Sequence, residues 1–186
     1  MPVDRANVDT DQIIPAHWLK NVGRTGYGAG LFEAWRKDPS FVINDPRYKG
    51  ATILVAGPNF GSGSSREHAV WALDEYGFRA VISSKLADIF KGNSLKMGLV
   101  PVELPAEVVT KLLRAVEKDP SLEITIDVER ATVEAPAIGV RETLRLDEFT
   151  RTRLREGLDD IALTLRYSDD IARFEAKRPG WLPRVS

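Results

Sequence analysis

The sequence predicts an α/β protein with a mixed sheet that has a parallel core and an antiparallel part. Between residues 52 and 117, short apolar stretches alternate with helical patterns, as in parallel strands joined by right-handed crossovers. After residue 120 the apolar residues alternate one by one, as in antiparallel sheets with one solvated face. The length of 186 residues, without a repeat or linker, predicts a single domain over residues 1–186.

Residues 1–50 predict an ordered loop region with one short helix at residues 31–37. The segment is rich in glycine, proline, asparagine and aspartate, which favour turns. Its aromatic residues argue against disorder. Because long irregular segments of compact domains usually carry function, we expect binding residues here.

The middle of the chain predicts three strands that alternate with three helices. The strands are expected at residues 52–56, 80–83 and 100–104, and the helices at residues 65–76, 86–91 and 106–117. The last of these helices has a proline beyond its end. Its apolar face comprises Val108, Leu112, Leu113 and Val116.

The end of the chain predicts the antiparallel strands and a helical extension. The strands are expected at residues 122–128, 132–135 and 140–146. Helical patterns follow at residues 147–156 and 158–177, with a break near Ser168 and an end at Pro179.

The composition excludes several classes of function. The chain has no cysteine, so it cannot form disulfides or hold an iron–sulfur cluster through thiolates, and we expect no metal site. With 26 basic and 27 acidic residues the net charge is −1, which gives no general attraction to nucleic acid or anionic membranes. No stretch resembles a secretory signal or a membrane span, so we expect a cytoplasmic protein.

The most informative motif is the Gly/Ser loop at residues 57–69, GPNFGSGSSREHA, between a predicted strand and a predicted helix. Gly57, Gly61 and Gly63 permit tight or left-handed turns, so the first amides of the helix can point at a ligand. The helix dipole and the planar guanidinium of Arg66 both favour a carboxylate or phosphate. The loop lacks the third glycine of a dinucleotide fingerprint and the GK[ST] of a Walker loop, so we predict an anion site of another kind.

A purely structural interpretation of the same residues stays open. Ser64 and Glu67 have the spacing of a capping box, and His68 follows Ser64 by four positions but is more often structural in such a place. Asp9 and Asp11 could be mistaken for metal ligands, although their neighbours favour turn caps. A serine hydrolase is disfavoured because the chain has no GxSxG elbow.

Residues 61–93, GSGSSREHAVWALDEYGFRAVISSKLADIFKGN, resemble the small swivelling domain of the aconitase superfamily. Two further regions resemble the family of 3-isopropylmalate dehydratase small subunits. One is NVDTDQIIPAHWLKNVGRTG at residues 7–26, and the other is the tail, with GLDDIALTL and FEAKRPGW. The resemblance implies a three-layer β/β/α fold. It also implies a hydro-lyase (isopropylmalate isomerase) of leucine biosynthesis, which interconverts 2- and 3-isopropylmalate through isopropylmaleate.

The resemblance also implies roles for particular residues. Ser64 is expected to be the base that removes the carbon-bound proton, with Asp11 orienting the site. Ionising a serine hydroxyl requires a dry pocket with preorganised donors, which a glycine loop at a helix start can supply. The expected substrate-binding residues are Ser65, Arg66, Arg24 and Thr25, and the expected specificity loop includes Val22, Gly23 and Tyr27. Arg24 could instead be an exposed loop cation.

The resemblance implies that a separate large subunit holds a 4Fe–4S cluster and that this chain is inactive without that partner. Two alternatives stay open. The chain could be the small subunit of homoaconitase or of another 2-alkylmalate dehydratase, because the loop around Arg24 differs among these enzymes. It could also be a non-catalytic module that binds carboxylates at the same loop.

Overall fold

The computed structural model describes residues 1–21 and 23–181, which contain seven strands in two sheets. One sheet is parallel, in the order β1 (Pro2–Val3), β2 (Ile53–Ala56), β3 (Ala80–Ser83) and β4 (Val100–Glu103). The other is antiparallel and consists of β5 (Thr125–Asp127), β6 (Thr132–Ala135) and β7 (Val140–Thr143). The predicted α/β class is confirmed, with the parallel and antiparallel parts in separate sheets.

The described residues contain eight α-helices. They are α1 (Thr10–Ile13), α2 (Glu33–Arg36), α3 (Glu67–Tyr76), α4 (Asp88–Met97), α5 (Ala106–Lys118), α6 (Glu148–Glu156), α7 (Asp160–Leu165) and α8 (Ser168–Ala176). Short 3-10 turns at Ala16–Lys20, Tyr27–Gly30, Val42–Asn44, Pro46–Tyr48 and Pro136–Ile138 connect them. The segment between β1 and β2 therefore forms the ordered, loop-rich region that the sequence predicts.

The core lies on both faces of the parallel sheet, because successive side chains of a strand point to opposite faces. Leu54 and Val81 pack with the buried residues of α3 and α4 on one face. Val55 and Ile82 pack with α5 and the antiparallel sheet on the other. The antiparallel sheet, the parallel sheet and the helical face give the layered arrangement expected of an aconitase-type swivelling domain.

Several element boundaries differ from the sequence-based prediction. The strands predicted at residues 122–128 and 140–146 are shorter, since β5 and β7 end where their pairing with β6 ends. Two helix boundaries also differ. Helix α3 begins at Glu67 instead of residue 65, because the residues before it are held by another segment of the chain. Helix α4 continues to Met97 instead of ending at residue 91. Its polar residues Asn93 and Ser94 are buried, and the Ser94 hydroxyl donates to the carbonyl of Phe90 at 2.8 Å. The helix therefore passes through residues that locally favour a turn.

Candidate active site

The Gly/Ser loop follows β2 and is joined to the segment that precedes α1. The amides of Gly61 and Ser62 donate to the carbonyl of Val8 at 2.8 and 3.1 Å. The Thr10 amide donates to the Ser62 carbonyl at 2.9 Å, and the Thr10 hydroxyl donates to the Ser64 carbonyl at 3.0 Å. These four hydrogen bonds fix residues 61–64 from outside their own sequence neighbourhood.

All three glycines that the sequence singled out are required by the geometry of the loop. Gly57 is not left-handed, but a Cβ there would lie only 2.4 Å from the carbonyl oxygen of Arg5. Gly61 has φ +77° and Gly63 has φ +90°, which are left-handed values that glycine adopts without strain. A Cβ at Gly61 would overlap the side chain of Phe90 in α4, whose own Cβ would lie only 2.6 Å away. The loop therefore packs directly on α4, and this close contact sets the height of Ser64 above the sheet.

The residues before α3 leave hydrogen-bond donors free. Arg66 is extended, with φ −137° and ψ 105°, and no side chain caps the helix, so the capping box of Ser64 and Glu67 is absent. Within residues 1–21 and 23–181, the backbone N–H groups of residues 64–67 and the Ser64 hydroxyl have no hydrogen-bond partner. Ser64 and Ser65 are exposed. Such a row of unpaired donors at a helix start can bind an anion.

Arg66 forms an ion pair with Asp11, although 55 residues separate them in the chain. Only 14% of the Arg66 side chain is exposed, whereas 56% of Asp11 is exposed. Asp9 forms the capping box of α1: its carboxylate accepts from the Gln12 amide at 2.8 Å, and its own amide donates to Gln12 at 2.9 Å. Asp9 therefore has the turn-capping role predicted for it, and Asp11 pairs with the guanidinium of Arg66.

His68 has a structural environment. Because α3 begins after Ser64, the two residues are not on one helix face, and no hydrogen bond joins them in the described part of the chain. The imidazole packs on Trp71 and Tyr27, with ring centroids 4.5 and 5.1 Å apart. Burial lowers the pKa of His68, Glu67 partly opposes this shift and Arg66 adds to it, so His68 is neutral at pH 7. The structural interpretation of His68 is therefore favoured.

Arg24 and Tyr27, in the predicted specificity loop, lie against the first half of α3. The hydroxyl of the fully buried Tyr27 donates to the carbonyls of Gly23 and Asn21 at 2.8 and 3.1 Å. The guanidinium carbon of Arg24 lies 6.0 Å from the centre of the Trp71 ring. Arg24 is exposed, as are Gly23 and Thr25. The remaining predicted loop residue, Val22, lies outside the described residues.

The turn at Tyr27–Gly30, which follows this loop, is held by Glu75 and Arg36, two residues that the sequence analysis missed. The carboxylate of Glu75 in α3 accepts a hydrogen bond from the Gly28 amide at 2.9 Å. Arg36 in α2 donates to the carbonyls of Gly28 and Ala29 at 3.2 and 3.4 Å. No local pattern identifies Glu75, which is 47 residues from Gly28 in the chain. The contact depends on the packing of α3 against the turn.

The described residues offer neither a metal cluster nor a membrane-spanning helix. No group of three histidine, aspartate or glutamate side chains in residues 1–21 and 23–181 could hold a metal ion, and the sequence has no cysteine. No helix in the same part of the chain is long and apolar enough to cross a bilayer.

The layered fold and the glycine loop at the start of α3 define an aconitase-type swivelling domain. The family model of the aconitase C-terminal domain matches residues 1–107, and that of the C-terminal domain of 3-isopropylmalate dehydratase small subunits matches residues 160–185. A crystal structure of 3-isopropylmalate dehydratase from Methanocaldococcus jannaschii superposes with a TM-score of 0.66 and 25% identity, covering 92% of this chain and 96% of that one.

Curated relatives show which family of aconitase-type swivelling domains this chain belongs to. The chain is 61% identical to the 3-isopropylmalate dehydratase small subunit of Parafrankia sp. over 100% of this chain and 94% of the relative. It is 60% identical to the 3-isopropylmalate dehydratase small subunit of Streptomyces coelicolor, covering 100% of this chain and 93% of the relative. The chain belongs to the family of 3-isopropylmalate dehydratase small subunits, which confirms the resemblance found in its motifs.

Proposed function

We propose that this chain works in the cytoplasm as one half of a 3-isopropylmalate dehydratase in leucine biosynthesis. The complete enzyme interconverts 2-isopropylmalate and 3-isopropylmalate by removing water and adding it back across 2-isopropylmaleate. The names of the relatives support the enzyme class. The site geometry supports the division of roles that follows.

Ser64 is the proposed base. Its alkoxide takes the proton from the carbon next to a carboxylate, and the electron pair of that C–H bond forms the double bond. The hydroxyl on the neighbouring carbon takes its own bonding pair and leaves as water, with a proton supplied by solvent or by an acid of the large subunit. Rehydration in the other orientation gives the isomer. The observation that carries this assignment is that the Ser64 hydroxyl is exposed and unpaired among the described residues, beside a row of unpaired N–H donors. Such donors stabilise an alkoxide most strongly when water is excluded.

Arg66 is the proposed ligand of a substrate carboxylate, together with the backbone amide of Ser65. The ion pair with Asp11 fixes the guanidinium, so less side-chain freedom is lost when substrate binds. A guanidinium can present two parallel N–H groups to a carboxylate, which orients the substrate as well as attracting it. Asp11 is therefore a positioning residue in this proposal.

The exposed loop residues Arg24 and Thr25 are the proposed second contact with substrate, and Val22 and Gly23 are proposed to contribute to specificity. Tyr27 is completely buried and binds the Gly23 carbonyl, so its proposed influence on specificity acts through the position of the loop. The packing of this loop on Trp71, which lies one helical turn beyond the start of α3, supports its placement at the same site.

The 4Fe–4S cluster is proposed to belong to a large subunit. The residues of this chain do not fit such a group, because the sequence has no cysteine and the described residues contain no cluster of potential ligands. The partner is proposed to supply the Lewis acid that assists departure of the hydroxyl. In this proposal the isolated chain binds isopropylmalate weakly and does not turn it over.

Reconstitution tests the proposed function. The purified chain and a cluster-loaded 3-isopropylmalate dehydratase large subunit from the same organism should together interconvert the two isopropylmalates under anaerobic conditions, and neither should do so alone. Faster turnover of homocitrate-type substrates by the pair would favour the homoaconitase alternative. Tight binding of isopropylmalate to the isolated chain, without activity of the pair, would favour a non-catalytic module.

A further inference from the structure

Large apolar side chains are exposed throughout the C-terminal helices. Six of them form what we call the C-terminal apolar surface, namely Phe149, Ile161, Leu165, Tyr167, Phe174 and Trp181. Phe174 and Ile161 are 71% and 70% exposed, and Trp181 is 81% exposed. Buried hydrophobic residues, by contrast, are frequent along the described chain as far as Leu144. Single exposed apolar residues need no explanation, but six in one short segment of the chain do.

The exposed residues follow helical periodicity. Tyr167, Ile171 and Phe174 recur at i, i+4 and i+7 and so share one face at α8, whereas Asp169 and Ala172 lie on the opposite side. Within α7, Leu163 is half-buried while Ile161 and Leu165 are exposed. Each of these helices thus has an apolar face that nothing in the described part of the chain covers.

Ion pairs fix the start of this segment to the preceding helix. Arg153 of α6, whose side chain is only 12% exposed, pairs with Asp160 at 2.8 Å and donates to the carbonyl of Leu158 at 3.0 Å. Arg166 pairs with Glu156. The corner between α6 and α7 is therefore built from specific contacts, so the surface has a defined position on the protein.

The area of the surface corresponds to one side of a protein interface. An aromatic side chain buries roughly 200 Å² when fully covered, so the exposed parts of the six residues amount to roughly 700–800 Å². A stable protein–protein interface buries about 800 Å² on each partner, so these side chains together supply enough apolar area for one. The size favours permanent cover by another protein.

The position of α6 indicates which protein covers the C-terminal apolar surface. Asp147 and Thr150, at the start of α6, line a cleft of about 530 Å³ together with Ser84 and Glu103, which lie at the carboxyl ends of β3 and β4. The Gly/Ser loop follows the carboxyl end of β2, so α6, which carries Phe149, begins at the sheet edge where the candidate active site lies. It ends at the opposite edge, because Gly157 and Asp159 face Gly98, just before β4 begins. A large subunit that closes the site and follows α6, which is about 13 Å long, therefore reaches α7.

We propose that the C-terminal apolar surface is a docking surface for the 3-isopropylmalate dehydratase large subunit. This inference rests on the proposed function, because it takes the partner from that proposal. The separate family model for residues 160–185, named for the small subunit, is consistent with a segment dedicated to the two-subunit enzyme. In this proposal the apolar faces of α7 and α8 pack on the partner.

Charge insertion on the exposed face tests the inference. In the full-length chain, Phe174→Glu combined with Leu165→Glu should raise the dissociation constant for the cluster-loaded large subunit roughly 100-fold or more, since unpaired charges replace buried apolar contacts. Ala172→Glu, which puts the same charge on the opposite side of α8, should bind as the wild type does. At saturating large subunit the double variant should recover the wild-type kcat, because its active site is unchanged.

The outcomes separate the two proposals. If the wild-type pair is active and the double variant binds with wild-type affinity, the docking inference is wrong and the proposed function stands. If the wild-type pair associates but does not isomerise isopropylmalate, the proposed function is wrong, and the affinities of the variants still decide the docking surface. Sedimentation of the isolated chain as a dimer that Phe174→Glu dissociates would assign the surface to a second copy and overturn the inference.

Discussion

Replacing Gly61 with alanine should destabilise the protein by about 2–5 kcal/mol, the sum of a backbone cost and a packing cost. The left-handed backbone at φ +77° costs a residue with a Cβ about 1–2 kcal/mol. The overlap of that Cβ with the Phe90 side chain adds a cost of about 1–3 kcal/mol, as in other overpacked cores. The loop that carries Ser64 must then move away from α4.

Gly98→Ala is the matched control. Gly98 ends the same helix, α4, with φ +80°, and a Cβ there meets no atom within 4 Å. It should therefore cost only the backbone part, about 1–2 kcal/mol. Urea denaturation followed by circular dichroism measures both free energies of unfolding. In a Phe90→Ala background the overlap with the ring is gone, but the Cβ of residue 90 stays 2.6 Å from the added methyl group. The cost of Gly61→Ala should therefore fall but stay above that of Gly98→Ala.

Equal destabilisation by Gly61→Ala and Gly98→Ala in the wild-type background would refute the argument that close packing on Phe90 sets the position of the loop. A cost of Gly61→Ala that is the same in the Phe90→Ala background as in the wild type would do the same. Either result would remove α4 from the account of how Ser64 is placed.

Three further predictions concern residues around the loop. Arg66→Lys should lower kcat/KM of the two-subunit enzyme about 10–100-fold with unchanged thermal stability, because a lysine cannot make the paired hydrogen bonds of a guanidinium; unchanged kinetics would return Arg66 to a structural role. Glu75→Ala should raise KM more than it lowers kcat, since the Gly28 amide loses its acceptor, and Glu75→Gln should restore the wild-type KM. Folding lowers the pKa of His68 below its ordinary value of 6.5, so the unfolded chain binds that proton more readily. Stability should therefore fall as the pH drops below about 6.5, and urea titrations of His68→Gln should show a smaller loss over that range.

The regular elements were predictable because their signals are local. The strands at Ile53–Ala56 and Ala80–Ser83 have apolar side chains for both faces of a buried sheet, and α5 has a clear apolar stripe. The stripe was placed correctly except that Val109 is more deeply buried than Val108. Such patterns depend on the residues within one element and need no knowledge of its neighbours.

The start of α3 could not be predicted because it depends on a distant segment. Locally, Ser64 and Glu67 favour a capping box, which would begin the helix earlier in the chain. In the structure, the Thr10 hydroxyl binds the Ser64 carbonyl, and the Thr10 amide binds that of Ser62. These contacts come from residues that precede β2 in the sequence, and they keep the backbone out of the helix as far as Arg66.

The candidate site was predictable as a set of residues but not as an arrangement. The glycines and Arg66 indicated an anion site from their positions alone. The pairing of Arg66 with Asp11, and the clamp of Glu75 on Gly28, exist only because the loop-rich segment between β1 and β2 folds over α3. A site assembled from segments this far apart leaves no spacing pattern in the sequence.

The turnover of Ser64→Ala in the reconstituted two-subunit enzyme tests the central claim most directly, with Ser65→Ala as the neighbouring control. Because the variant lacks the hydroxyl that takes the proton, Ser64→Ala should reduce kcat by at least about 100-fold, within the usual contribution of a general base, while the two subunits still associate. Ser65→Ala should retain most of the activity, because its proposed contact is a backbone amide. A kcat for Ser64→Ala equal to that of the wild type would contradict the assignment of Ser64 as the base.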